Sequence, residues 1–314
     1  MQSESTDKIW TLIECSKIAL KKGPEVWASP RLTNASQEDS LAYIQKCATE
    51  LEQLRQEDPN IVFVIATEST LDLYGIVEGE TIYQRMARLF QSKIENYNES
   101  LNLFLYQAVA AVRKIFKGTV TYAAGHWEKV NWEHFDVIGL NYYRNAYNSS
   151  VYREGLEKFI GSGKAVAVLE FGCGSYSRSQ DKGAWSFEII DWNQPRPPIK
   201  GNYTRDEGVQ SDYIIELLTI FDEMDIFAAF VFEFIETQYP YDKNLIYDLD
   251  MASFGLVKVH SDGKWEPKKS FRALSEYYGD KFGLRDSASA HYTRTVIYII
   301  KIKKTSTNTL TCKR

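Results

Sequence analysis

Cysteine and histidine are both scarce in this 314-residue chain, at four each. Cys15, Cys47, Cys173 and Cys312 stand far apart with no C-x-x-C pair, which argues against a structural zinc site. His126, His134, His260 and His291 form no H-E-x-x-H pair, so no metal or cofactor is expected. Basic residues are not in excess: Lys and Arg total 37 against 42 Asp and Glu, a net charge of −5. That excludes nucleic acid or an anionic membrane as the main partner. No apolar run approaches the ~18 residues of a membrane span, and no basic-then-apolar leader opens the chain. A soluble, cytoplasmic protein is expected, and the sequons at Asn34, Asn98, Asn148 and Asn202 read as chance. G-x-G-x-x-G, G-x-x-x-x-G-K-[ST] and G-x-S-x-G are all missing, which leaves dinucleotide, P-loop and α/β-hydrolase readings without support.

What is present is globular: 44% hydrophobic and 25% charged residues. Aromatics reach 14%, enough either for a ring-rich core or for stacking on sugar-like ligands. Helical periodicity covers 7–22, 37–57, about 80–116, 150–160, 208–223 and 268–279. Between these lie short, continuously apolar runs at 25–29, 61–66, 119–124, 135–142, 165–171 and 227–235. Runs of that kind are strands buried on both faces, and their alternation with helices predicts an α/β fold with a parallel sheet of six βα units. A polar, Pro-rich insertion spans about 175–204. Residues 286–314, with Lys301, Lys303 and Lys304 interrupting a short apolar run, read as a tail.

Parallel sheets bind ligands beyond the carboxyl ends of their strands. The residues there are Arg31, Thr67-Glu68, His126-Trp127, Asn141-Tyr142-Tyr143-Arg144, Glu170, and Phe232, Glu233 and Glu236. A carboxylate closing a buried strand is costly unless paired or used. Glu68 has a structural alternative, capping the turn at Ser69 and Thr70. Glu170 has one too, pairing with Arg31 or Arg144. Together, two such glutamates can supply the proton donor and nucleophile of glycoside hydrolysis. Glu233 and Glu236 are further acids, able to bind sugar hydroxyls or to pair with Arg31 or Arg144. His126 is either a surface loop histidine or part of the site's mouth.

Glu68 after IVFVIAT and Glu170 in VLEFG resemble the acid/base and nucleophile of clan A glycoside hydrolases. The resemblance implies a (β/α)8 TIM barrel with these glutamates ending strands four and seven, and a carbohydrate as ligand. FDVIGLNYY is similar to the clan's sixth strand, where Tyr142 or Tyr143 would sit beside the nucleophile. FAAFVFEF is similar to strand eight, with Phe232 or Phe234 as an aromatic sugar platform. Longer strings between Ala19 and Gly279, among them ATESTLDLYGIVEG, GTVTYAAGHWEKVNW and DLDMASFGLVKVHSDGKWEPK, resemble barrel proteins labelled abortive phage infection proteins, which implies a defence role. Thr67 departs from the clan, which commonly has Asn there to hold the sugar's 2-hydroxyl.

The resemblance implies a retaining mechanism with Glu68 protonated, Glu170 ionised and their carboxyl groups ~5–5.5 Å apart. It also implies that strands three to eight are present and the first two missing. Residues 7–282 are then an N-terminally incomplete barrel domain, and 283–314 a tail outside it. A C-shaped sheet, or a gap beside the strands at 25–29 and 227–235, is expected, because six strands cannot close as eight do.

Overall fold

The computed structural model describes residues 2–91, 96–282 and 298–301. The chain divides into two compact units, residues 1–140 with 293–314, and residues 141–292.

The first unit opens with α1 (Gln2–Leu20), β1 (Val26–Ser29), α2 (Gln37–Glu57) and β2 (Ile61–Thr67). The Gly23 backbone, at φ 95°, turns the chain out of α1 in a conformation that favours glycine. At the start of α2, Ser36 Oγ accepts the Asp39 N–H at 3.0 Å, with Glu38 and Asp39 in the positively polarised first turn. After β2 come a one-turn α3 (Ser69–Asp72), α4 (Ile82–Gln91), α5 (Tyr97–Ile115), β3 (Thr119–Gly125) and β4 (Val137–Asn141). The long helical stretch expected over 80–116 is thus two helices, and residues 92–95 lie outside the described residues.

β1 pairs parallel with β2 and β2 with β3, in registers Val26↔Ile61 and Val62↔Thr119, and β4 lies beside β3. Alternate strand residues Val26, Ala28, Phe63, Ile65, Val120 and Tyr122 pack under Ile44, Leu51, Phe104, Ala108 and Val112 of α2 and α5. Trp27, Val62 and Val64, on the opposite strand face, are also buried, which is why the strands read as unbroken apolar runs.

The second unit holds α6 (Tyr152–Ile160), β5 (Ala165–Phe171), α7 (Glu207–Glu223), β6 (Ala228–Val231), β7 (Val257–Val259), β8 (Trp265–Pro267) and α8 (Lys269–Phe282). β5 and β6 are parallel, in register Ala167↔Ala228. The strand expected to reach residue 235 stops at Val231. β7 and β8 form a small antiparallel hairpin that the apolar-run pattern does not reveal. The Pro-rich insertion folds into 3₁₀ turns at 179–181 and 183–189. They pack a small core of Tyr176, Ile189, Ile190, Ile199 and Met251. A buried charge cluster ties that region down: Arg205 meets Asp248 at 2.8 Å, Asp250 at 2.7 Å and Glu207 at 2.9 Å, and Lys268 meets Asp250 at 3.1 Å.

The fold is therefore α/β of barrel type, with six strands, β1–β6, in place of eight. One expectation changes. The edge of β1 is occupied by β9 (Tyr298–Lys301), parallel, in registers Val26↔Tyr298 to Ser29↔Lys301. The β-branched character of the short run read as tail suits an edge strand. Residues 283–297 and 302–314, including His291 and Cys312, lie outside the described residues. Among the described residues, no helix is long and apolar enough to cross a membrane.

Candidate functional site

The candidate residues fall into one group in each unit. In the first, Glu68 leaves β2 just after its register against β3 shifts between Val64 and Thr67. Its backbone is left-handed, φ 41° and ψ 51°, a conformation uncommon for any residue with a Cβ. Glu68 N–H donates to the Ala123 carbonyl at 2.9 Å, and its carbonyl accepts from Leu71 N–H at 2.8 Å. The backbone of Glu68 thus starts α3, but its carboxylate makes no capping bond. Other side chains cap the turn. Ser69 N–H donates to Tyr122 Oη at 2.7 Å, and Thr70 N–H to Glu128 Oε1 at 3.1 Å. The capping alternative for Glu68 is thereby replaced.

Glu128 is the residue that the sequence reading missed. It is 8% exposed and accepts two further bonds at Oε2, from Tyr122 Oη–H at 2.8 Å and Gly125 N–H at 3.0 Å. Thr70 Oγ1–H adds a bond of 2.6 Å to Oε1. Burial pushes the Glu128 carboxyl up to about 7, opposed by its bonds from Thr70 and Tyr122 and reinforced by the Glu68 charge. In the sequence, Glu128 sits in the polar loop WEKVNW and reads as a solvated charge; its position three residues beyond β3 was the signal available.

Trp127 is half-buried and donates Nε1–H to Thr70 Oγ1 at 2.9 Å. Its ring meets Phe90 edge-on at 5.3 Å and His126 at 5.0 Å. His126 is exposed and stacks on Phe90. Crowding pushes its pKa down, and the Glu68 charge pulls it up. His126, Trp127 and Glu68 are thus brought together. Thr67 is buried at 2% exposure. Arg31 makes a two-bond pair with Asp72, Nε to Oδ2 at 2.6 Å and Nη2 to Oδ1 at 2.8 Å, which ties it to α3. Buried Arg85 braces the same region by donating to the Leu71 and Gly79 carbonyls, each at 2.6 Å, and to Asn34.

In the second unit, Glu170 lies near the end of β5 and is 7% exposed. Tyr143 donates its hydroxyl to Glu170 Oε2 at 3.1 Å. Tyr142 turns the other way: its hydroxyl meets the Tyr152 carbonyl at 3.4 Å and its ring packs on Tyr152 at 4.7 Å. Tyr143 stacks edge-on against Phe254 at 6.1 Å, and Phe254 against Phe232 at 5.7 Å. Tyr143, Phe232 and Glu170 therefore share one neighbourhood. Phe234 instead packs on Trp265 and Phe271. Asn141 is buried, and Glu233 half-buried after a cis Phe232–Glu233 peptide. Glu236 Oε2 accepts Phe254 N–H at 2.6 Å, which fixes the chain under that ring. Arg144 forks onto Glu216 at 2.5 and 2.7 Å, replacing the ion pair with Glu170 that the sequence left open.

No family model matches the chain, and no curated protein matches it. Solved structures do. A GH113 β-1,4-mannanase aligns at 17% identity and TM-score 0.48, over 77% of this chain and 62% of that one. A β-glucuronidase from Ruminococcus gnavus aligns at 13% identity and TM-score 0.45, over 77% and 35%. The β-glucosidase from Pyrococcus furiosus aligns at 13% identity and TM-score 0.43, over 78% and 59%. The chain thus spans about three fifths of the mannanase it matches. These neighbours are glycoside hydrolases, and none carries the abortive infection label.

Proposed function

We propose that this chain is a glycoside hydrolase-like protein acting on a carbohydrate by the retaining two-glutamate route. Glu68 is the proton donor and, after the first step, the general base. Glu170 is the nucleophile that forms the glycosyl-enzyme bond, which water then hydrolyses. The observation that carries this reading is the release of Glu68 from capping. Tyr122 and Glu128 satisfy the α3 turn, while Glu68 keeps a left-handed backbone at the end of a buried strand. Strain of that kind at a strand's carboxyl end is a feature of functional positions.

The surrounding residues take supporting roles in this reading. Tyr143 orients Glu170 through its hydroxyl, and Phe232 with Phe254 gives an apolar ring surface near it. Trp127 and His126 offer a ring edge and a polar donor beside Glu68. Asn141 and Glu233 remain proposed sugar contacts. Arg31 braces α3 through the Asp72 carboxylate, and Glu236 holds the Phe254 backbone. Residues 7–282 form the glycosidase-like part in this reading.

Turnover of an aryl glycoside, lost in both Glu68→Gln and Glu170→Gln, tests the proposal. A mechanism-based fluoro-sugar should label Glu170 covalently, and labelling elsewhere would remove the nucleophile assignment. A second reading rests on Thr67, which offers a buried hydroxyl where the clan keeps an amide. In that reading the protein binds carbohydrate without turnover, as a binding or phage-defence protein. Sugar binding in the absence of any turnover would select it.

A further inference from the structure

The orientation of every hydrogen bond around Glu128 is fixed by the network itself. Tyr122 Oη accepts from Ser69 N–H at 2.7 Å, so its own proton points to Glu128 Oε2. Thr70 Oγ1 accepts from Trp127 Nε1–H at 2.9 Å, so its proton points to Glu128 Oε1. The remaining two donors, Thr70 N–H and Gly125 N–H, are backbone amides. Both carboxyl oxygens therefore receive two donors each. That pattern fits an ionised carboxylate and leaves no acceptor for a carboxyl proton. Two of the partners bear on the turn that begins at Glu68: Thr70 lies in it, and Tyr122 accepts the N–H of its first residue, Ser69.

We propose that Glu128 is the positioning residue for Glu68, and that protonating it releases the α3 turn and with it the Glu68 side chain. This deepens the hydrolase reading and rests on it for the reaction, although the coupling between the two carboxyl groups does not. A proton on either Glu128 oxygen meets two incoming hydrogens, so at least one of the bonds to Thr70, Tyr122 or Gly125 must break. Where the bond lost is one of those to Thr70 or Tyr122, the α3 turn loses a brace, and Glu68 is held only by its backbone bonds to Ala123 and Leu71. The titratable groups facing Glu128 are Tyr122 from β3 and Glu68 from the β2–α3 junction; His126, two residues before it on the same loop, faces Glu68. Burial places the Glu128 transition at about 7, inside the range where a small pH change alters the occupancy of the two forms.

The test follows the Glu68 carboxyl carbon by ¹³C NMR in glutamate-labelled protein, assigned by its loss in Glu68→Gln. In the wild type this signal should show a step near pH 7 that is missing in Glu128→Gln, whose amide resembles the protonated acid. Thr70→Ala separates mechanics from charge: it cuts one link to the turn but keeps the Glu128 carboxylate. The step should shrink in Thr70→Ala. A step of unchanged size there would mean charge alone couples the two sites, and would overturn positioning. The acid limb of kcat should carry the same midpoint in the wild type and disappear in Glu128→Gln, with kcat down about 10- to 100-fold. Absent turnover with a Thr70-dependent step defeats the hydrolase reading alone; turnover without the step defeats the positioning role alone. If Glu128→Gln does not fold, Thr70→Ala and Tyr122→Phe carry the same comparison.

Discussion

Thr70 holds Glu128 twice, through its backbone N–H at 3.1 Å and its hydroxyl at 2.6 Å, and takes the Trp127 indole N–H on the same hydroxyl. One small side chain thus links a buried acid, a ring and the turn that follows Glu68. Replacing it by Val keeps the shape and removes both hydroxyl bonds. The half-buried indole N–H and one carboxylate lone pair lose their partner, at a cost of about 1–3 kcal/mol. Thr70→Ser should lose far less. Urea unfolding of both variants checks the difference, and Trp127 emission should shift in the valine variant only.

Stability should depend on pH through Glu128, with a definite sign. Its pKa rises from 4.5 in the unfolded chain to about 7 in the fold. The folded state therefore holds this proton more tightly than the unfolded one. The stabilisation is fully present below 4.5 and is lost as pH rises through about 7. A shift of this size corresponds to roughly 3 kcal/mol. Denaturant midpoints of the wild type and Glu128→Gln, measured from pH 4.5 to 8, should diverge by that order. Parallel curves would show that the carboxylate is held without penalty. The form that stabilises the fold is then the one that loosens the Glu68 turn.

The strands were legible because both their faces are buried, which leaves runs such as IVFVIA and AVAVLEF with no polar interruption. The glutamates ending them stood out for the same reason. Glu128 did not, since a carboxylate in a polar loop carries no local mark of the donors that fold over it. The choice between Tyr142 and Tyr143 was also closed to sequence. Neighbouring residues beyond a strand point to opposite sides, and only packing on Tyr152 decides which of them turns away. Strand β9 was hidden because its apolar run is short and the sequence around it is rich in Lys, Ser and Thr.

Gly125 has a packing reason that can be tested. A Cβ at this position would lie 2.5 Å from the Trp127 ring. That ring is held by Thr70 on one side and Phe90 on the other. Gly125→Ala must displace the indole, breaking its bond to Thr70, and overpacking of this kind costs about 1–3 kcal/mol. Thermal unfolding should fall accordingly. Trp127 should become more accessible to an aqueous quencher, measured as the difference from Trp127→Phe.

The two adjacent tyrosines give a paired prediction. Tyr143 supplies a hydroxyl to Glu170 Oε2 at 3.1 Å. Tyr143→Phe removes the Tyr143 hydroxyl from that oxygen but keeps the ring against Phe254. With Glu170 as the ionised nucleophile of the proposed mechanism, one hydrogen bond to a charged group is worth about 1.5–3 kcal/mol, so turnover should fall roughly 10- to 100-fold with the fold intact. Tyr142 behaves differently. Its hydroxyl sits against α6, where a Cβ on Gly155 would collide with it. Tyr142→Phe removes a long bond of 3.4 Å to the Tyr152 carbonyl and should change neither kcat nor KM by more than about twofold. Gly155→Ala should push Tyr142 off its seat and lower the unfolding temperature without lowering turnover. Kinetics and melting curves on the three variants decide the assignment. Equal losses of turnover in Tyr142→Phe and Tyr143→Phe would show that the bond to Glu170 Oε2 has no special part in the reaction.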